Sequence, residues 1–386
     1  MKKLAIITTH PIQYYAPVFK LLQQYQRIQI RVFYTWGEAS VNKHDPGFNR
    51  TVNWDIDLLS GYDYEWVTNT ATDAGSHHFN GIINPTLIEQ LYKFKPDALL
   101  LFGWAYHSHL KVLRHFKNKL PILFRGDSTL LDEKPGIKSI LRKIYLRFVY
   151  KHIDYALYTG TNNKHYFKKY GLTNAQLVFA PHAVDNNRFA IQRHNEASDF
   201  RIKLGINTDD ILVLYAGKFE GKKDPLLLLK AFLRLNKPNV HLLFTGNGPL
   251  EILLKQHADG HANVHFMGFQ NQSCMPVVYQ ACNVFCLPSK GPAETWGLAV
   301  NEAMACGKAV LVSDKVGCAI DLVKGGYNGA VFNSGDENDL FNQLSSLTIS
   351  AGYLDQLGSN SATLIKDWSF TKLTRSIENL LIDEKH

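Results

Sequence analysis

Two carboxylates eight residues apart, Glu294 and Glu302, sit around Trp296-Gly297-Leu298 in the stretch P-S-K-G-P-A-E-T-W-G-L-A-V-N-E-A-M-A-C-G, from Pro288 to Gly307. The pattern predicts an apolar strand (Asn283 to Leu287), a short loop carrying Glu294, and a helix with Glu302 near its start. A helix N-terminus offers N–H groups and partial positive charge, which suits a phosphate. If the segment is helical throughout, eight residues place the two Cα atoms about 12 Å apart, roughly the reach of a nucleotide sugar from ribose to sugar ring. One carboxylate would accept hydrogen bonds from ribose hydroxyls and the other from sugar hydroxyls, with the diphosphate on the backbone between them. Two carboxylates repel a bare phosphate, so cations are needed nearby. The run Y-A-G-K-F-E-G-K-K-D-P-L-L-L-L-K supplies them. Lys218 follows a strand end, and Lys223 precedes Asp224-Pro225, which reads as an N-cap Asp and an N1 Pro. Two ammonium groups at a strand-to-helix loop match the charge that grows on a leaving diphosphate. The alternative for these lysines is an exposed, solvated loop. A further loop, Thr245-Gly246-Asn247-Gly248-Pro249, has glycines that would let backbone approach a ligand closely. The fingerprint G-x-G-x-x-G is missing there and after Thr8, against a dinucleotide oxidoreductase.

Short apolar runs separated by helical patterns must position these loops. In the first half, strands are expected at Leu4 to Thr8, Ile28 to Tyr34, Ala98 to Phe102, Ile122 to Phe124 and Tyr155 to Tyr158, with a helix at Val18 to Tyr25. In the second half they are expected at Ile211 to Tyr215, Val240 to Thr245, Val264 to Met267, Val284 to Leu287 and Ala309 to Val312, with a helix at Pro225 to Leu235 and a closing one at Phe370 to Ile382. Continuous apolar strands alternating with helices predict parallel sheets covered on both faces. The class is α/β, as two Rossmann-like doubly wound domains, with ligands outside the carboxyl ends of the strands and in the cleft between the domains. The expected boundaries are an N-terminal domain at 1–185, a C-terminal domain at 186–366, and a terminal helix at 367–386. The polar, aromatic segment Asp45 to His78 reads as an insertion in which acceptor specificity can reside.

A length of 386 residues suits two cores rather than one. Met1 to Thr9 lacks the apolar length and cleavage site of a signal peptide, and no stretch reads as a membrane span. The five cysteines, Cys274, Cys282, Cys286, Cys306 and Cys318, form no C-x-x-C pair and are expected as reduced thiols of a cytoplasmic protein. Residues 1–190 carry 24 Lys+Arg against 14 Asp+Glu, whereas residues 191–386 carry 18 against 20. The first half is therefore expected to meet an acidic partner. Lys134, Lys138, Arg142, Lys143, Arg147 and Lys151 interleave with Ile137, Ile140, Leu141, Ile144, Tyr145 and Phe148 at helical spacing. The segment 134–151 is thus a basic amphipathic helix, which either packs on the core or touches an anionic membrane surface at the inner membrane face. No recognition motif supports nucleic acid.

The stretch A-E-T-W-G-L-A-V-N-E-A-M-A-C-G-K-A-V-L-V-S-D, with its E-x7-E pattern, resembles the family 4 glycosyltransferases of the GT-B fold. So do G-K-F-E-G-K-K at 217–223, T-G-N-G-P-L at 245–250, V-H-F-M-G-F at 264–269, P-H-A-V-D-N-N-R-F at 181–189 and G-Y-N-G-A-V-F at 326–332. The resemblance runs from about 181 to 370; the first half matches in layout more than in residues. It implies that Glu294 contacts donor-sugar hydroxyls and Glu302 the ribose, and that Lys218 and Lys223 serve the diphosphate. It implies backbone N–H groups of Trp296-Gly297-Leu298 on the phosphate, with Thr295, Gly246, Asn247 and Phe269 also lining the donor site. Transfer would retain configuration and need no metal or other cofactor. Lys218 stands where the family usually has Arg, which removes a bidentate fork. His10-Pro11-Ile12-Gln13-Tyr14-Tyr15 replaces a glycine-rich loop, Phe102-Gly103-Trp104 replaces a frequent His, and His182 replaces an Asn.

On the acceptor side, His10, Trp104, Arg125, Asp127 and His182 are the candidates. Trp104 would serve as a stacking platform, and Arg125 and Asp127 stand at a strand end. The alternative for each is a hydrogen-bonded structural role. Asp55-Ile56-Asp57 has a metal-binding D-x-D spelling but no supporting strand. His107 and His109 are expected on opposite faces of a strand, and His77 and His78 in a polar loop, without a metal. The expected activity is a retaining, metal-independent glycosyltransferase of hexosyltransferase type. It would move sugar from a nucleotide-diphosphate sugar to a glycan or lipid-linked acceptor in surface polysaccharide biosynthesis. The alternatives are a nucleotide-sugar epimerase of the same fold and a non-catalytic glycan-binding protein.

Overall fold

The computed structural model describes residues 1–42, 44–45, 50–51 and 53–382. The described residues divide into two compact units. One falls within Met1–Lys43, Ile56–His182 and Phe370–His386, the other within His44–Asp55 and Ala183–Ser369.

The first unit is built on β1 (Lys3–Thr8), β2 (Gln29–Tyr34), β5 (Tyr64–Trp66), β6 (Ala98–Phe102), β7 (Ile122–Arg125), β8 (Tyr155–Tyr158) and β9 (Leu177–Phe179). The short ribbon β3 (His44–Asp45) and β4 (Arg50–Thr51) belongs to the second unit. The seven strands lie side by side in the order β5-β2-β1-β6-β7-β8-β9, all parallel. Leu4, Ala5, Ile6 and Ile7 are fully buried, as are Leu99, Leu100 and Leu101. Both faces of the central strands are covered, which is why their sequences are apolar runs rather than alternations. The closing helix Phe370–Ile382 joins this unit: Glu378 pairs with Arg27 at 3.2 Å, and the Ser376 hydroxyl donates to the Phe179 carbonyl at 2.8 Å.

The second unit carries β10 (Ile211–Ala216), β11 (Val240–Thr245), β12 (Val264–Met267), β13 (Val284–Leu287), β14 (Ala309–Ser313) and β15 (Gly329–Phe332). Their order is β12-β11-β10-β13-β14-β15, again all parallel. Each sheet starts in the middle, winds to one edge, then returns and winds to the other. The reversal falls between β1 and β6 in one unit and between β10 and β13 in the other. These are the switch points at which doubly wound sheets bind ligands.

Two local expectations are corrected. His107 and His109 lie in the helix His107–Phe116, not on a strand. Asp224 does not cap the helix Pro225–Leu235: its backbone is left-handed (φ +48°) and its carboxylate turns to Lys290 at 3.2 Å. The left-handed region is one that Asp tolerates, and Pro225 still opens the helix.

His109 is fully buried; its Nδ1–H donates to the Gly103 carbonyl (2.9 Å), leaving Nε2 to accept from the Thr35 hydroxyl (2.8 Å). Burial pulls its pKa from 6.5 down to about 4. The folded state therefore binds fewer protons than the unfolded state between these values. The stability is present above about 6.5 and is lost as pH falls toward 4, by at most roughly 3 kcal/mol. Thermal unfolding followed from pH 7 to 4.5 should show this decline, and His109→Gln should make it shallower. Equal slopes for the two proteins would remove His109 from the account.

Candidate functional site

The second unit brings two of the donor-side candidates, Lys223 and Glu294, together at its switch point. The loop after β10 carries Lys218 and Lys223; the loop after β13 carries Glu294. The two loops are tied together: the Lys290 amide donates to the Lys222 carbonyl at 2.9 Å, and Lys223 Nζ donates to Glu294 Oε2. The Lys223–Glu294 ion pair is mostly enclosed, with side-chain exposures of 23% and 9%. The Ser289 hydroxyl donates to the same Oε2 at 2.7 Å, and Ser313 donates in turn to the Ser289 carbonyl. Ser289 and Ser313 are fully buried, so the carboxylate is aimed by a chain of groups reaching back to the end of β14.

The Glu294 segment is not helical. Leu298–Ala305 is the helix, preceded by Gly297 in a left-handed conformation (φ +97°), and Glu294 stands in the loop before it. The 12 Å helical estimate therefore does not apply, and Glu302 lies one turn inside the helix rather than at its start. Glu302 is 4% exposed and accepts from the Tyr279 hydroxyl at 2.9 Å. The N-cap residue is Gly297, which has no side chain to cap the helix, and the helix dipole puts partial positive charge at this end. Trp296 is buried, and its Nε1–H donates to Asn301 Oδ1 at 2.8 Å, locking the loop to the first turn of the helix. The loop is clamped from outside as well. Gly317 N–H donates to the Glu294 carbonyl (3.0 Å) and Cys318 N–H to the Trp296 carbonyl (2.9 Å), across the carbonyl of Thr295.

Lys218 is half-buried, and its carbonyl accepts from the buried Tyr215 hydroxyl at 2.7 Å. Burial, and then the charge of Glu294, push the Tyr215 pKa well upward, so this phenol remains a hydrogen-bond donor. The glycines of Gly246-Asn247-Gly248 lie against neighbouring backbone. A Cβ on Gly246 would meet the Gly217 carbonyl at 2.0 Å and one on Gly248 the Phe219 carbonyl at 2.6 Å, so both glycines admit the neighbouring backbone. Asn247 then bridges loops: its carbonyl accepts from Phe219 N–H (2.9 Å) and its Oδ1 from Phe269 N–H (2.8 Å).

In the first unit, His10 leaves the end of β1, with Nδ1 at 2.8 Å from Thr9 Oγ1 and its ring edge-on to Trp36. Arg125 is 1% exposed and donates to the Ala180 and Pro181 carbonyls at 2.8 and 3.1 Å. Its guanidinium lies over the Tyr15 ring, on which His182, 4% exposed, also stacks. Burial and Arg125 hold His182 well below the ordinary histidine pKa. Arg125 and His182 thus belong to one buried cluster around Tyr15. Asp127 is half-buried and sets its charge against Arg125. Trp104 is half-buried, packing edge-on against Tyr145 and onto the core. Asp55 and Asp57 do not converge: Asp55 accepts from Ser273, and Asp57 accepts from Leu59 and Ser60 within its own turn.

All five cysteines are free thiols, and burial raises Cys282 to about 12. Among the described residues, the one group of three close metal-ligand types is Asp73, His77 and His78 on an exposed loop. Ser289, Ser313, Tyr215, Tyr279 and Gly317 were missed in the sequence. Only Gly317 carried a signal, as a glycine just beyond a strand end.

The solved structure of HepE from Anabaena, in complex with UDP and glucose, superposes with a TM-score of 0.72 at 17% identity, over 99% of this chain and 100% of that one. The fold is thus the pair of Rossmann-like sheets of GT-B proteins. Over 139 residues the chain is 32% identical to an uncharacterized glycosyltransferase of Methanocaldococcus jannaschii, covering 35% of each. Over 184 residues it is 28% identical to the D-inositol 3-phosphate glycosyltransferase of Gordonia bronchialis, covering 44% of this chain and 40% of that one. The chain therefore spans only 35% and 40% of the length of these curated relatives. Residues 196–363, which hold Lys218, Lys223, Glu294 and Glu302, match the family model described as glycosyl transferases group 1.

Proposed function

We propose that the protein is a glycosyltransferase that retains anomeric configuration and uses no metal. It would transfer a hexose from a nucleotide-diphosphate sugar to a glycan or lipid-linked acceptor, in surface polysaccharide biosynthesis at the cytoplasmic face of a membrane. The observation that carries this reading is the Lys223–Glu294 pair at the β10/β13 switch point. It places a cation and a carboxylate where one ligand can present both a diphosphate and sugar hydroxyls. The glycosyltransferase relatives and the UDP- and glucose-bound neighbour support the same donor class.

In this reading the diphosphate competes for Lys223 and draws Lys218, while Glu294, still aimed by Ser289, accepts from a sugar hydroxyl. Glu302, held by Tyr279, accepts from the ribose. As the glycosidic bond to the diphosphate breaks, the two ammonium groups stabilise the charge on the leaving oxygen. That oxygen takes the proton of the acceptor hydroxyl, which attacks on the same face.

A panel of nucleotide-diphosphate sugars should contain one that raises the thermal midpoint. A ligand at about 100 times its Kd adds about 2.7 kcal/mol. The same compound should yield a glycoside with unchanged anomeric configuration in the presence of EDTA. No shift with any member of the panel would overturn the donor assignment. An altered donor sugar formed without acceptor would favour an epimerase.

A further inference from the structure

The helix Ile137–Tyr150 has an apolar face that the described residues leave largely exposed. Ile137, Ile140, Leu141, Ile144, Tyr145 and Phe148 are 42–78% exposed. Leu146, Val149 and Tyr150 of the same helix are buried in the core of the first unit. With 3.6 residues per turn, the exposed apolar residues occupy one arc of about 140°, and the buried ones are centred roughly opposite. The exposed stripe is therefore not the core-facing side of an ordinary surface helix, for which one apolar face suffices. Lys138 and Arg142 border one side of the stripe, Lys143 and Arg147 the other. No acidic residue occurs from Lys134 to Lys151. Contiguous exposed apolar surface with a charged rim marks an interaction site.

We infer that this helix lies flat in the surface of an anionic lipid bilayer. The stripe enters the boundary of the acyl chains, and the flanking Lys and Arg ammonium and guanidinium groups meet lipid phosphates. The charge pattern selects this occupant over a second copy of the chain, because stripe-to-stripe pairing would set two basic rims against each other. The inference does not depend on the transfer chemistry, and its test uses no substrate.

The full-length protein is sedimented with vesicles of phosphatidylcholine, with and without phosphatidylglycerol. Binding is expected only with phosphatidylglycerol and is expected to weaken as salt rises. Ile140→Ser combined with Ile144→Ser should lower binding at least about tenfold, with the thermal midpoint unchanged because both side chains are exposed. Lys143→Gln combined with Arg147→Gln should weaken binding and flatten its salt dependence. No binding to anionic vesicles overturns the inference, as does wild-type binding by the double serine variant. A dimer in size exclusion that the serine pair dissolves, without vesicle binding, assigns the stripe to a second copy instead.

Discussion

Glu294→Ala is expected to lower transfer from a nucleotide sugar by roughly 100- to 1,000-fold, a loss of about 3–4 kcal/mol of transition-state stabilisation. The fold should survive, because Glu294 stands in a loop before the helix and its removal leaves Lys223 with 23% of its side chain open to water. Glu294→Gln separates two roles: it keeps the hydrogen-bonding shape but loses the charge that pairs with Lys223. Lys223→Ala should produce a fall of similar size. Because the two side chains are in direct contact, the double variant should lose less than the product of the single losses. Steady-state turnover and a thermal midpoint measured on the parent and the four variants decide the matter. Unchanged turnover in Glu294→Ala ends the proposed catalytic role. Strictly multiplicative losses would mean that the pair does not act as one element.

The second large effect is structural and reaches the same site from behind. A Cβ at position 317 would lie 1.8 Å from the Thr295 carbonyl oxygen and 2.9 Å from the Trp296 nitrogen. Those atoms are backbone, and the hydrogen bonds from Gly317 to Glu294 and from Cys318 to Trp296 hold them in place. Gly317→Ala must therefore pull the two loops apart. The expected cost is about 2–4 kcal/mol, or roughly 5–15 °C in the thermal midpoint. Donor-dependent activity should be lost together with stability, since the same displacement carries Glu294 away from Lys223. Gly325→Ala is the matched control, because an added Cβ there meets nothing within 4 Å. A Gly317→Ala protein as stable and active as the parent would show that the clamp is not needed.

Much of this site was legible in the sequence because it is local. Pro225–Leu235, Val240–Thr245, Val264–Met267, Val284–Leu287 and Phe370–Ile382 form the elements their apolar spacing predicts. Lys218, Lys223 and Glu294 fall on strand-end loops for the same reason. Other readings failed where a side chain has distant partners. Arg125 is the last residue of β7, and its terminal nitrogens donate to carbonyls of Ala180 and Pro181, more than fifty residues away. Asp224 has the residue type and position of an N-cap, but Lys290 competes for its carboxylate. The basic helix at 137–150 was legible as amphipathic, although which apolar residues face the core was not. Its sequence has apolar groups on two opposite sides, and packing buries only one of them.

By itself, the amino-acid sequence determined the parallel α/β class, the positions of most strands and the acids and cations available for chemistry. Hydrophobic periodicity and residue type are properties of a few neighbouring residues, so they can be read along the chain. Only the tertiary structure decided that Lys223 and Glu294, seventy-one positions apart, share one ion pair. That meeting exists because β13 lies beside β10, while β11 and β12, which intervene in the chain, are placed on the other side. Strand order is set by which apolar faces pack together over the whole sheet.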